Sequence, residues 1–186
     1  MSVAAPPPAQ LTAEEFAQLP DSGRRTELVR GQVVEVPMPP PKRGSYCWRI
    51  SRSIGNFVED HGLGWVMTND SWVKTERGPD TVRGADLVFW SYERLPKGDL
   101  PEGVIPIAPD LVVEVRSPSE RWTNVFAKVL EYLNAGVRVA CILDPATETF
   151  SVYRADEIQQ ILTVDDDFTL PDVLPEFRVR VGQFFA

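Results

Sequence analysis

Two acids stand where an ordinary strand keeps none. Asp86 lies inside Ala85-Asp86-Leu87-Val88-Phe89-Trp90, and Glu114 inside Leu111-Val112-Val113-Glu114-Val115; both runs are apolar and largely β-branched or aromatic. An unpaired buried carboxylate is costly, so each acid needs a cation: a metal, a lysine or an arginine. Two carboxylates on adjacent strands can converge on one hard cation such as Mg²⁺ (or Mn²⁺), which takes oxygen ligands and keeps several waters. Lys128, from the following helix, can lie over the same edge. There it can orient or activate a water, or stabilise charge developing on a phosphate. Arg116, two residues after Glu114 and on the same side of the strand, can replace Lys128, assist it, or merely neutralise Glu114. The chemistry open to this set is metal-dependent hydrolysis of a phosphodiester, and its bland counterpart is a structural ion-pair network.

Other polar residues carry less. Glu27 sits in the first arm of a predicted hairpin, where a solvated edge residue is the ordinary reading. Lys42, Arg43, Arg49 and Arg52 form a basic cluster after the proline-rich break 37–41. They make either a phosphate-contacting edge or a solvated helix face. His61, followed by Gly62, suits a helix C-terminus, where a cation meets the helix dipole. With only that histidine, and with Cys47 and Cys141 far apart, cysteine zinc sites and histidine-based constellations have little support.

The elements that must position these groups follow from the pattern. Thr12-Ala13-Glu14-Glu15 fits a capping box before a short helix. The segment 26–36 reads as a hairpin pivoting on Arg30-Gly31. A helix is expected over about 46–60, with Trp48, Ile54, Phe57 and Val58 as its buried stripe. Strands 64–76 and 84–92 are joined by the turn Arg77-Gly78-Pro79-Asp80. The strand carrying Glu114 lies between Pro109 and Pro118. Asp110, beside Pro109, is separated from Glu114 by only three residues on one strand and is rejected as a metal-binding acid. A helix over 120–135, capped by Ser117 or Ser119, is expected to bury Val125, Phe126, Val129, Leu130 and Leu133 and to stop at Gly136. The strand 137–143 then makes a parallel pair with the Glu114 strand through a helical crossover. Residues 149–153 and 160–164 form an antiparallel pair, and the tail to Ala186 holds a proline-punctuated segment and a short apolar piece.

The chain has 186 residues, 43% hydrophobic and 25% charged, enough for one domain over residues 11–186. Residues 1–10 read as a disordered leader with neither the basic region nor the apolar core of a signal peptide. No apolar run approaches a membrane span. These features suggest a cytoplasmic protein. The net charge of −8 disfavours a general nucleic-acid coat, because phosphate binding is driven by Lys and Arg, but it is compatible with a nuclease whose acids bind metal.

Five stretches together resemble a known family: Thr26-Glu27-Leu28-Val29-Arg30-Gly31; Val82 to Phe89; Pro109 to Ser119; Lys128-Val129-Leu130-Glu131-Tyr132-Leu133-Asn134-Ala135-Gly136-Val137; and Leu143-Asp144-Pro145. In this order they are similar to the Uma-two family of the PD-(D/E)XK, restriction-endonuclease-like superfamily, over nearly all of Leu11 to Phe185. The resemblance implies a restriction-endonuclease-like α/β fold, with a central mixed β-sheet flanked by helices and an additional amino-terminal hairpin. It also implies a Mg²⁺-dependent endonuclease acting on DNA, with Asp86 and Glu114 as metal-binding acids, Lys128 as the motif lysine and Glu27 as an auxiliary ligand. Lys42, Arg43 and Arg49 become candidate DNA contacts, and a homodimer is compatible. Three positions depart from the family pattern: Ala85 where proline is expected, Arg116 where an apolar residue is usual, and no histidine near Arg43. The competing expectation is a catalytically inactive module of the same fold for nucleic-acid binding or dimerisation.

Overall fold

A computed structural model of the chain describes residues 10–186. The leader expected over residues 1–10 lies outside the described residues except for Gln10. Helix α1 (Ala13–Ala17) opens with the expected capping box, in which the Thr12 side chain accepts from Glu15 N and the Glu15 carboxylate accepts from Thr12 N. Strands β1 (Thr26–Val29) and β2 (Gln32–Glu35) form the hairpin, with Arg30 and Gly31 both at positive φ (49° and 77°), as a twisted two-residue turn requires. A Cβ at Gly31 would also come within 2.6 Å of Gln10 Cβ, so no other residue fits there.

The sheet is built around β4 (Thr81–Ser91), which pairs along one edge with β3 (Gly64–Glu76). Two partners share its other edge. β1 takes the start, at Leu28↔Val82, and β5 (Leu111–Val115) takes the end, at Leu87↔Val113 to Phe89↔Leu111. The stretch Arg83 to Asp86 lies between them. β5 then pairs in parallel with β6 (Val139–Asp144) through helix α3 (Trp122–Asn134), as the strand–helix–strand order predicts. β7 (Thr149–Tyr153) and β8 (Gln160–Leu162) complete a mostly antiparallel sheet of order β2-β1-β4-β5-β6-β7-β8, with β3 beside β4. The Asp86 and Glu114 strands are thus direct neighbours.

Each face of β5 meets a different helix. Leu111, Val113 and Val115 join Ile50, Ile54 and Val58 of α2 (Pro41–His61), while Val112 joins Val125, Val129 and Tyr132 of α3. Ile54 is fully enclosed, and its truncation to alanine would cost about 2–5 kcal/mol. The strict alternation of β4 slips at Asp86: Ala85 packs with Val88 and Trp90 in the α3 layer, whereas Leu87 and Phe89 belong to the α2 layer. Opposite the slip, β3 spends two residues, Asn69 and Asp70, both at positive φ, where β4 spends one. This is a β-bulge that re-aims a side chain.

Five expectations change. α2 starts at Pro41, not near residue 46, because proline suits the first helical position; Lys42 and Arg43 are therefore in its first turn. Its start has no side-chain cap and no acidic residue. The α2 stripe is Tyr46, Ile50, Ile54 and Val58, while Trp48 is exposed beneath the Arg52 guanidinium. α3 starts at Trp122 with no serine cap, and Ser117 and Ser119 bond each other instead. Its buried face is Val125, Val129 and Tyr132, with Phe126 and Leu130 exposed. The tail forms a hairpin of β9 (Asp167–Leu170) and β10 (Leu174–Arg180), followed by a 3-10 turn at Val181–Phe184. Phe168, Phe177 and Phe184 carry it into the α2 layer, and Pro175 sits at its register shift.

Candidate active site

The slip in β4 and the end of β5 bring three oxygen atoms together. Asp86 Oδ2 accepts from Val115 N at 2.7 Å, so the carboxylate stands in for a ladder bond beyond the last β4–β5 pair. It also accepts from Arg43 Nη2 at 2.7 Å. Arg43 Nε donates to Val115 O at 2.8 Å, and Arg43 Nη2 lies 3.9 Å from Glu114 Oε2. One guanidinium, reaching from the first turn of α2, therefore occupies the point where Asp86, Glu114 and the Val115 carbonyl converge. Both acids are only 7% exposed.

Glu114 turns its other oxygen to α3, where Tyr132 Oη donates to Oε1 at 2.6 Å. Lys128, one helical turn earlier, has its Nζ 3.7 Å from Glu27 Oε1 and 3.8 Å from Glu120 Oε1. Glu114, Lys128, Arg116 and Glu120 line one small cavity against α3. Arg116 is nevertheless committed elsewhere: Nη1 donates to Asp144 Oδ1 at 3.1 Å, Nη2 donates to Glu120 O at 3.1 Å, and the guanidinium stacks 4.9 Å from the Trp122 ring.

Glu27 is buried, not a solvated edge residue. It fills the interval on β4 between its two partners, accepting from Gly84 N at 3.3 Å and from Arg83 Nη1 at 2.8 Å. Arg83 in turn holds Glu131 of α3 in a two-bond fork at 2.6 and 2.7 Å. Beside this network opens a cleft of about 700 Å³, whose walls include Glu27, Gly84, Arg25, Asp70, Met67 and Trp72. Asp70 is salt-bridged to Arg25. Of the three expected DNA contacts, Lys42 is exposed, Arg49 bonds Ser45 O at 3.3 Å along its own helix, and Arg43 is inside the site.

Charge is scarce here relative to need. Burial pushes Asp86 above the ordinary aspartate range, against the pull of Arg43 and the Val115 N–H. Burial likewise pushes Glu114 up, helped by Asp86 and opposed by Lys128 and the Tyr132 hydroxyl. Burial opposes the charged form of Lys128, but Glu114, Glu27 and Glu120 outweigh it and hold its pKa above the ordinary value. It is an ammonium at neutral pH. The Cys47 thiol, one turn along α2 from Arg43 and also bearing on Asp86, is pushed up to about 12 by burial and stays protonated.

A sequence model of the Uma2 family, described as "Putative restriction endonuclease", matches residues 13–182. The chain belongs to the Uma2 family. Among solved structures it is similar to a crystal structure of "a putative nuclease belonging to DUF820" from Anabaena variabilis ATCC 29413. That likeness has a TM-score of 0.79 at 22% identity, covering 94% of this chain and 97% of that one, and it establishes the fold. No curated protein matches the chain. Among the described residues no helix is long and apolar enough to cross a membrane.

Two carboxylates and a carbonyl are the oxygen donors that a hard divalent ion takes, so the residues fit Mg²⁺ or Mn²⁺ chemically once Arg43 has moved. Glu27 faces Arg83 and Lys128, and among the described residues no group of three or more His, Cys, Asp or Glu side chains is arranged for a metal. In this Uma2 chain the residues that sequence reasoning missed are Arg83, Glu131, Tyr132 and the inward role of Arg43. Arg43 had a signal: it lies four residues before Cys47 and Ile50 follows three later, so it shares the buried face of α2.

Proposed function

We propose that the chain is a metal-dependent nuclease that hydrolyses DNA phosphodiesters at the β4–β5 junction. The approach of Asp86 Oδ2, Glu114 Oε2 and Val115 O to one guanidinium, with the Lys128 ammonium sharing a small cavity with Glu114, is the observation that carries this reading. Asp86 and Glu114, with the Val115 carbonyl, would hold Mg²⁺ or Mn²⁺. When bound, the ion supplies Lewis-acid charge to a phosphoryl oxygen and makes a water more acidic. Lys128, already protonated, stabilises charge developing on the phosphate and abstracts no proton. Tyr132 fixes the Glu114 rotamer by its 2.6 Å bond, and Arg83 holds Glu27 clear of the acid pair. Lys42 and Arg49, on the outer side of α2, would meet flanking phosphates.

The Arg43 contact favours a second reading, in which the acids are permanently neutralised and the fold serves as a nucleic-acid-binding or dimerisation module. Nicking of plasmid, single-stranded and branched DNA with Mg²⁺ and Mn²⁺ decides between them. The nuclease reading expects metal-dependent cleavage that Asp86→Ala abolishes. Binding of DNA with no cleavage of any substrate would establish the module.

A further inference from the structure

The acid pair is not waiting empty for a cation; it already has one. We propose that Arg43 is a resident counter-cation whose docked position and divalent-metal binding are mutually exclusive, so that the site loads metal by exchanging it for a side chain. The inference rests on the nuclease reading only for the kind of ion exchanged.

Three contacts define the docked state. Arg43 donates from Nε to Val115 O and from Nη2 to Asp86 Oδ2, and approaches Glu114 Oε2. These are the same three oxygens that a divalent ion would need, and a hard ion must strip competing partners from them to coordinate. A guanidinium and a dication on the same oxygens also repel strongly at low effective dielectric. One must leave for the other to enter.

The chain is built so that Arg43 can leave. Its Cα lies in the first turn of α2, whereas the helix is anchored to the sheet further along by Ile50, Ile54 and Val58. Withdrawal therefore needs rotation of a long side chain and no disruption of the core. Once undocked, the guanidinium stands at the mouth of the acid pair, beside the exposed Lys42, where its fork suits bidentate contact with a phosphate. Substrate and metal would then favour the same undocked state, each lowering the cost of the other's binding.

A binding-competent state that is only partly populated weakens apparent affinity by that fraction. Removing the internal competitor should tighten metal binding, and that is the test. Mn²⁺ affinity of the full chain is measured by electron paramagnetic resonance of free Mn²⁺, for wild type and Arg43→Gln, with no DNA present. Arg43→Gln should bind roughly 10-fold more tightly. Equal or weaker binding by the variant, or no Mn²⁺ binding by either protein, overturns the proposal. If Arg43→Gln does not fold, the wild type still answers. The Arg43 Nε–H nuclear magnetic resonance signal should lose its protection as Mg²⁺ is added, and retention of that protection at Mg²⁺ saturation overturns the proposal. The two readings fail separately. A wild type that binds no Mn²⁺ beside a variant that does supports the exchange and removes the metal-dependent nuclease. A wild type that binds metal and nicks DNA beside a variant that binds no better removes only the exchange.

Discussion

Arg116 Nη1 lies 3.1 Å from Asp144 Oδ1, joining the end of β5 to the end of β6, and it leaves Glu114 to other partners. The two cations that the sequence left as rivals therefore predict different phenotypes. Lys128→Ala should keep the fold and lower metal-dependent cleavage by about 100-fold or more. Arg116→Ala should instead leave Asp144, which is 1% exposed, with the neutral Ala146 N–H and Thr147 hydroxyl in place of its guanidinium, and cost about 3 kcal/mol in urea unfolding with little loss of turnover per folded molecule. The reverse pattern would make Arg116 the working cation.

The proton held by Glu114 gives stability a slope in pH. Its folded pKa is pushed up to about 8, above the ordinary glutamate value of the unfolded chain. The folded state therefore binds the extra proton, and stability falls as pH rises from the ordinary carboxylate range through about 8. Glu114→Gln removes that slope while keeping an acceptor for Tyr132. In chelator-treated protein, the variant should match wild type below the carboxylate range and exceed it by about 5 kcal/mol above the folded pKa. Asp86, shifted in the same direction by burial, leaves a slope of its own in the variant. Parallel melting curves for the two proteins across this range would refute the assignment.

Arg83 binds α3 to the hairpin through Glu131 and Glu27 at once. Arg83→Met keeps the stem but takes the guanidinium from two carboxylates, leaving the deeply buried Glu27 to Lys128 and the Gly84 N–H. A loss of about 3–5 kcal/mol is expected by denaturant unfolding, and a second change, Glu27→Gln, should recover part of it.

Asp110 tests the discarded acid. It is fully buried, accepts from Ser91 N at 2.7 Å and lies 3.2 Å from both Arg94 Nε and Arg138 Nη1. Asp110→Ala should lower stability by about 3 kcal/mol while leaving Mn²⁺ affinity of the folded protein unchanged. A specific loss of metal binding would move the site.

Strand placement was legible because the acids interrupt strong apolar runs: the neighbouring Asp86 and Glu114 strands, the parallel β5–β6 pair and the Arg30-Gly31 hairpin all follow from local pattern. Helix faces were less so. In α3 the alternative stripe through Phe126 and Leu130 is as hydrophobic as the real one through Val125, Val129 and Tyr132, so hydrophobicity alone does not choose the face that turns Tyr132 to Glu114. Strand β9 follows an acidic run and β10 contains Pro175, which masks their period-2 burial of Phe168, Leu170, Phe177 and Val179. The inward face of Arg43 follows from its helical spacing to Cys47 and Ile50, but its partner Asp86 lies far along the chain and no local rule names it.

The start of α2 has Pro40 as an N-cap without a side-chain bond, and Lys42 and Arg43 where the helix dipole favours acids. Such a turn frays readily by itself; the Arg43 bonds to β4 and β5 are what pin it. Whatever discharges the acid pair, whether protonation, a divalent ion or a phosphate drawing Arg43 outward, also unpins this turn. The amides of Gly44, Ser45 and Tyr46 should then exchange with solvent at a rate set by the ionic state of residues on a different layer of the protein. A backbone hydrogen-exchange measurement on three consecutive residues of α2 thus reads the occupancy of a site whose acids lie on β4 and β5.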